Sequence, residues 1–216
     1  MTSNREPSDA SGSSRIDRRR ALLGMGGLAA STLAGCLGGA SSGSGSQSGD
    51  TLPTPVQGDP DADTTVTVFE DFACPHCQTY NLEVLPTIAS RYIDPGKIRY
   101  EHYDFPVVNE TSWRAASAAR AVQKRAGAKQ FFTYAKALYQ NQSRLGPDTY
   151  ASLANDMGLK GGAVRKAAEN QTYRQTVEAN KQTGRDRGVR ATPTVFVGDK
   201  TVEATVDAIS SAIESA

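Results

Sequence analysis

Two cysteines, Cys74 and Cys77, are separated only by Pro75 and His76. Thiols at this spacing can form a disulfide within one helical turn, which predicts redox chemistry. The thiolate is the reactive species in thiol–disulfide exchange, and a helix N-terminus, a neighbouring cation or the Cys-x-x-Cys geometry can each lower the pKa of a cysteine. Cys74 and Cys77 are therefore the candidate catalytic pair, and Pro75 and His76 are candidates for tuning its redox properties.

The flanking segments predict where this pair lies. Residues 65–69 read as a buried strand, and residues 78–92 carry apolar side chains at helical spacing. Cys74 is then expected near the first turn of a helix, where free backbone N–H groups stabilise a negative sulfur. Pro75 suits an early helical position because its missing N–H would have no partner there. A protonated His76 would add a positive charge beside the thiolate.

A structural zinc site is the alternative reading of closely spaced cysteines. Such sites usually take four ligands, including a second closely spaced pair. The chain offers only Cys36 and His102 beyond the first pair. The sequence therefore predicts no metal and no cofactor other than a redox-active disulfide.

Residues 1–36 predict an export signal. Arg19 and Arg20 precede a short apolar and Gly/Ala-rich stretch, and this pattern resembles a twin-arginine signal. Residues 33–36 resemble a lipobox, which implies cleavage before Cys36 and lipid attachment to its sulfur. An ordinary cleaved signal, in which Cys36 is incidental, and a retained anchor helix are the alternatives. Residues 37–60 are rich in Gly and Ser and end in prolines, which predicts a flexible linker.

The remaining residues, 61–216, match one domain. The net charge of the whole chain is +1, and its basic residues are dispersed, which gives no indication of nucleic-acid binding. Stabilising disulfides are common in exported proteins. Beyond Cys74 and Cys77, however, the mature chain has no pair that could form one, so the one possible bridge is the reactive one.

The rest of the domain alternates strands and helices. Residues 97–103 predict a second strand, on which His102 shares a face with apolar neighbours and is interpreted as a packed rather than catalytic histidine. Residues 111–187 are helical with short breaks, and their aromatic side chains are interpreted as core. Thr192 and Pro193 precede a strand at 195–197, a hairpin turn at 198–199 and a closing helix around 206–213.

This order of features resembles the DsbA-like thiol:disulfide oxidoreductases of the thioredoxin fold. The resemblance covers residues 61–216 and is anchored on Cys74–Cys77 and on Thr192–Pro193. It implies an α/β, thioredoxin-like fold with a helical subdomain inserted at about 109–187. It further implies that Cys74 is the exposed nucleophile, that Cys77 is the buried resolving thiol, and that Pro193 is cis and faces the pair. The backbone of Thr192 would then pair with an extended client strand.

One position departs from the family pattern. Thioredoxins and many DsbA-like proteins carry an acidic residue six positions before the first cysteine, where it assists proton transfer to the buried thiol, but this chain has Val68 there. Asp71 could take a related role through water. The alternative is that Glu70 and Asp71 simply end the strand.

The resemblance predicts an enzyme that forms disulfides in exported client proteins and is reoxidised by a membrane redox partner. The lipobox predicts attachment to the outer face of the cytoplasmic membrane through a lipid anchor. Three alternatives stay open at this point: a membrane-fed reductase or isomerase, a non-catalytic lipid-anchored peptide-binding module, and a metal-handling protein.

Overall fold

The computed structural model describes residues 51–216. The predicted signal at 1–36, the Cys36 lipidation site and the linker up to residue 50 lie outside the described residues. Within residues 51–216, no helix combines the length and apolar character needed to cross a bilayer.

The described chain folds around a five-stranded mixed sheet. Its strands are β1 (Val56–Gly58), β2 (Thr65–Glu70), β3 (Arg99–Asp104), β4 (Thr194–Val197) and β5 (Lys200–Val202), in the order β1-β3-β2-β4-β5. β2 and β3 are parallel, and every other neighbouring pair is antiparallel. The predicted hairpin is present, with Gly198 at φ +57° in the turn between β4 and β5. This topology confirms the predicted α/β class.

A helical segment connects β2 to β3 and begins at the cysteine pair. It comprises α1 (Pro75–Thr79), a π-helical turn (Tyr80–Val84), α2 (Leu85–Ile88) and a second π-helical turn (Ala89–Ile93). Pro86 has no N–H to donate to the preceding turn. The Leu85 N–H donates to the carbonyl of Tyr80, five residues earlier, which is the bond of a π-helix. The predicted helix is therefore present but locally unwound.

Four helices lie between β3 and β4: α3 (Glu110–Gln140), α4 (Pro147–Asp156), α5 (Gly161–Glu169) and α6 (Arg174–Asp186). A short 3₁₀ turn (Gln142–Arg144) follows α3. α3 is capped by Asn109, whose side chain accepts from the Thr111 N–H, and it kinks at Gly127, where φ is +84°. These helices occupy the predicted insertion at 109–187. The closing helix, α7 (Val206–Glu214), packs against α2 and β4.

The two faces of the sheet pack against different helices. Val66, Val68 and Tyr100 lie in one core cluster with apolar residues of the segment between β2 and β3 and of α7. On the opposite face, Phe69 packs with Phe105 and Phe196, close to α6. Because side chains alternate along a strand, Glu70 at the end of β2 lies on the same face as Val66 and Val68.

The predicted start of the folded domain at residue 61 is wrong. β1 lies within the segment assigned to the linker, where it pairs with β3. The chain is already held before β1, since the Leu52 N–H donates to the Thr176 hydroxyl (3.1 Å) and the Pro53 carbonyl accepts from Gln123 (2.8 Å). β1 has only three residues, too few to show the alternation of a strand. Its glycine and the prolines before it give this segment the composition of a linker.

Candidate redox site

The two cysteines lie where β2 gives way to α1. Cys74 is the N-cap residue of α1 with extended backbone angles (φ −82°, ψ 122°), and Pro75 lies in the first turn. The expectation that Cys74 is exposed is wrong: its side chain is 7% exposed, because its sulfur lies against the Thr192 carbonyl. Cys77, one helical turn later, is completely buried. Both are present as thiols. The local structure therefore gives the two sulfurs different surroundings.

The surroundings of Cys74 favour its thiolate. The pKa of Cys74 is lowered to about 5, chiefly by the hydrogen bond from the Cys77 thiol, with burial opposing the shift and Thr192 and the backbone N–H groups of Cys77 and His76 supporting it. The Cys74 thiol donates to the Thr192 carbonyl at 3.3 Å. The buried Thr192 hydroxyl has no other partner among the described residues, so it is available to the thiolate. The imidazole of His76 is exposed, and its tuning role stays a prediction.

Cys77 has the opposite character. Burial raises the pKa of Cys77 far above its ordinary value, and the hydrogen bond to Cys74 and the negative charge of Glu70 act in the same direction. The backbone N–H of Asp71 donates to the Cys77 sulfur at 3.4 Å. Cys77 is therefore held as a thiol while Cys74 ionises.

The loop carrying Pro193 lies against the cysteines. The Thr192–Pro193 peptide bond is cis, as the resemblance implies. A cleft of about 410 Å³ beside this loop is lined by His76, Tyr80, Val84, Thr192, Pro193 and Thr205. Because the Cys74 sulfur contacts Thr192 of this lining, the cleft provides room for a polypeptide segment near Cys74.

Asp71 has a structural place in the site. One carboxylate oxygen accepts from the Ala73 N–H (2.8 Å), and the other accepts from the N–H groups of Val107 (2.7 Å) and Val108 (2.9 Å). These bonds tie the turn before Cys74 to the loop after β3. Because three backbone groups already occupy this carboxylate, they favour the interpretation in which Asp71 shapes the end of the strand over the predicted proton relay.

A buried polar chain extends from Glu70 into the helical subdomain, and sequence reasoning missed it. His102 lies between two carboxylates, with Nδ1 3.1 Å from Glu70 and Nε2 3.2 Å from Asp104. Arg120 donates to Asp104 at 2.6 Å. His102 also stacks on Phe72, which confirms that it is a packed histidine. The available signal was the spacing of Glu70 on β2 and of His102 and Asp104 on β3, all on one face of the sheet.

The charges of this buried polar chain, which runs from Glu70 to Arg120, stabilise one another. Burial raises the pKa of Glu70, with the bonds from His102 and Asn81 opposing the shift. Burial would lower the pKa of His102, but the bonds to Asp104 and Glu70 raise it overall. Burial likewise works against the Asp104 carboxylate, yet the Arg120 charge and the His102 bond hold the pKa of Asp104 below its ordinary value.

The described residues form no group of three or more His, Cys, Asp or Glu side chains that could hold a metal ion.

A helix-initiating Cys-x-x-Cys pair opposite a cis-proline loop, on a mixed sheet with parallel β2 and β3, defines the class of thioredoxin-fold proteins suited to thiol–disulfide exchange. A family model described as Thioredoxin matches residues 50–215, and the chain belongs to this family.

Similar proteins agree with this class. Disulfide bond formation protein D of Bacillus subtilis is 28% identical over 172 residues, which cover 74% of this chain and 75% of that protein. The crystal structure of oxidised BdbD from Bacillus subtilis has a TM-score of 0.71 and 27% identity, and the match covers 75% of this chain and 91% of that one. The crystal structure of Chlamydia trachomatis DsbA has a TM-score of 0.68 and 26% identity, with 74% and 90% covered. The predicted DsbA-like, thioredoxin-like fold with a helical insertion is confirmed.

Proposed function

We propose that this protein is a thiol:disulfide oxidoreductase that forms disulfides in exported proteins. The observation that carries the proposal is the contrast between Cys74, whose pKa is about 5, and Cys77, which burial holds as a thiol. Stabilising the thiolate stabilises the reduced enzyme, which makes its disulfide a stronger oxidant of other thiols. The similarity to disulfide bond formation protein D supports the same direction.

The reaction proceeds through two exchanges at Cys74. A client thiolate attacks the Cys74 sulfur of the oxidised enzyme, the Cys74–Cys77 bond breaks, and Cys77 leaves with the electron pair. A second client thiolate then attacks the client sulfur of the mixed disulfide. Cys74 is expelled as a thiolate, and its low pKa makes it a good leaving group. The client has lost two electrons, and the enzyme has gained them.

Three groups contribute to this chemistry in the proposal. Cys74 is the nucleophile and leaving group, because its pKa is low and its sulfur contacts Thr192, which lines the cleft. Cys77 is the resolving thiol, because it is buried behind Cys74. The Thr192–Pro193 loop holds the client segment, since an extended chain can pair with the backbone of Thr192.

The cellular setting is also part of the proposal. The twin-arginine-like and lipobox-like segments support export and lipid attachment at Cys36, which would place the protein at the outer face of the cytoplasmic membrane. A membrane redox partner would accept the two electrons and restore the disulfide. Metabolic labelling with a radioactive fatty acid tests the anchor, because Cys36→Ser should lose the label that the unchanged chain incorporates.

The function is tested with the full chain carrying Cys36→Ser, which leaves Cys74 and Cys77 as the only thiols. Equilibration against glutathione buffers should give a reduction potential well above about −300 mV, the upper range for resistant structural disulfides. The oxidised protein should also transfer its disulfide to a reduced, unfolded client, and Cys74→Ser should abolish that transfer. A strongly reducing potential would indicate a reductase, and complete resistance to exchange would contradict an enzymatic role.

A further inference from the structure

The buried position of Cys77 raises a question about protons. Resting on the function proposed above, each turnover converts Cys77 between a thiol and a disulfide sulfur, so its proton must be delivered or removed. Cys77 is completely buried, and an ionised sulfur without a nearby proton donor or acceptor would be costly there. A titratable group within the protein therefore has to exchange this proton.

Glu70 is the carboxylate placed to do so. The Asn81 side chain donates both to Glu70 Oε1 and to the Cys77 carbonyl, the latter at 3.3 Å, so Asn81 bridges the acid and the cysteine. Glu70 is 2% exposed and lies near enough to Cys77 for its charge to raise the pKa of Cys77. Glu70 lies two residues after Val68 on β2 and therefore on the same face of the sheet. Val68 occupies the position at which thioredoxins and many DsbA-like proteins carry an acidic residue.

The other titratable groups around this site are less suited to the exchange. The Asp71 carboxylate is occupied by three backbone N–H groups. Burial raises the pKa of Tyr80, of Tyr100 on β3 and of Tyr139 on α3 well above neutrality, so their phenols stay protonated. Glu70 is the buried carboxylate that the Asn81 side chain links to the backbone of Cys77.

The polar chain behind Glu70 balances its charge. His102 can donate to Glu70 and Asp104 together only when both ring nitrogens carry protons. Arg120, itself fully buried, pairs with Asp104 and also donates to Asn180 at 2.6 Å. With all four groups ionised, the chain from Glu70 to Arg120 carries no net charge. A proton taken up by Glu70 would make it positive and so stabilise a thiolate forming at Cys77.

We infer that Glu70 is the proton acceptor and donor for Cys77, and that His102, held by Asp104 and Arg120, is the positioning residue that sets its proton affinity. During ring closure, the Cys77 proton passes to the Glu70 carboxylate. The Cys77 sulfur then attacks Cys74 of the mixed disulfide, the Cys74–Cys77 bond forms, and the client leaves as a thiolate with the electron pair. When a client thiolate opens the disulfide, Cys77 leaves as a thiolate and the Glu70 carboxyl returns the proton.

The test isolates this ring closure. Reduced full-length Cys36→Ser protein is mixed with excess oxidised glutathione, and acid-quenched samples are alkylated and weighed by mass spectrometry. The measured quantity is the rate at which the mixed disulfide with glutathione converts to the Cys74–Cys77 disulfide, from pH 4 to pH 9. Because this step is intramolecular, its rate does not depend on the glutathione concentration. The rate should rise with pH and reach a plateau once Glu70 is ionised. With Glu70→Gln it should fall at least about 100-fold at pH 7, within the range of general acid–base catalysis, and rise in proportion to hydroxide.

Three further comparisons separate proton transfer from a structural effect. Alkylation of Cys74 by iodoacetamide in the reduced protein should be nearly unchanged in Glu70→Gln, because Cys74 is stabilised mainly by other groups. Glu83→Gln removes an exposed carboxylate from the adjoining helical segment and should leave the closure profile as it was. His102→Gln retains the carboxylate but removes a bond and a charge that lower the pKa of Glu70, so its profile should keep a plateau and move to higher pH.

The outcomes are distinct. A folded Glu70→Gln protein with an unchanged pH profile would overturn the inference while leaving the proposed function intact. If Glu70→Gln does not fold, the His102→Gln profile decides, since an unshifted profile would equally overturn it. If the unchanged protein forms no mixed disulfide with glutathione, the proposed function fails, and the inference fails with it.

Discussion

The reduction potential of the Cys74–Cys77 pair is expected to change its pH dependence near pH 5. Below that pH both sulfurs of the reduced enzyme are protonated, so two electrons enter with two protons and the potential falls by about 59 mV per pH unit. Above it Cys74 is a thiolate while Cys77 keeps its proton, because the pKa of Cys74 is about 5 and burial raises that of Cys77. The slope should then halve to about 30 mV per pH unit.

The size of the effect follows from these slopes. Over the two pH units from 5 to 7 the shallower slope leaves the potential up to about 60 mV above that of a pair with ordinary thiols. Solvent near the first turn of the helix screens the thiolate, which makes this figure an upper bound. The assay is equilibration with glutathione at constant ionic strength from pH 4 to pH 8, and absorbance at 240 nm follows thiolate formation independently.

A single slope of about 59 mV per pH unit over the whole range would refute the reasoning, since Cys74 would then be an ordinary thiol.

The same ionisation affects folding. The pKa of Cys74 is lower in the folded than in the unfolded chain, so its contribution to the stability of the reduced protein is complete above the unfolded value. That contribution is lost as the pH falls through about 5. The oxidised protein has no such thiol and serves as the control.

Five substitutions, two of them matched controls, test other parts of the structure by urea unfolding. Arg120→Met removes the arginine charge from buried Asp104, which then keeps only His102 as a partner, and should cost about 3–5 kcal/mol. By contrast, Arg174→Met breaks an exposed ion pair and should cost about 1 kcal/mol or less. Gly184→Ala places a Cβ 2.6 Å from an aromatic ring and should cost about 1–3 kcal/mol, while Gly162→Ala meets no atom within 4 Å and should be neutral or stabilising. Thr192→Val removes a buried hydroxyl whose available acceptor is the Cys74 thiolate, so stability should hold within about 1 kcal/mol while the pKa of Cys74 rises. Equal costs within either matched pair, or an unmoved thiolate titration in Thr192→Val, would contradict these assignments.

Local chemistry explains what could be predicted from the sequence. β2, the placement of Pro75 in the first turn and the Gly198 hairpin each depend on residues close together in the chain, and each is present. The kink at Gly127 agrees with the expected break between helical stretches of the insertion. These features need no knowledge of the register between strands.

The parts that were not predicted depend on contacts between distant residues. β1 becomes a strand only because β3 offers it an edge, and Gly58 is required there because a Cβ would lie 2.3 Å from the Ile98 carbonyl oxygen. The polar chain from Glu70 needs the parallel register that sets Glu70 opposite Asp104, together with an arginine from α3. Sequence spacing can place Glu70 and Asp104 on strand faces, but without the register it does not pair them, so a strand-ending role is the simpler interpretation of Glu70.

The contrast between the two sulfurs follows from the point at which the helix starts. Cys74, as N-cap, keeps extended backbone angles and lies against the Thr192 carbonyl at the edge of the cleft. Cys77, one turn later, faces the interior, where Asn81 links its backbone to Glu70. The low pKa of one sulfur and the proton requirement of the other are therefore two consequences of a single structural feature, and a mechanism for this enzyme has to account for both.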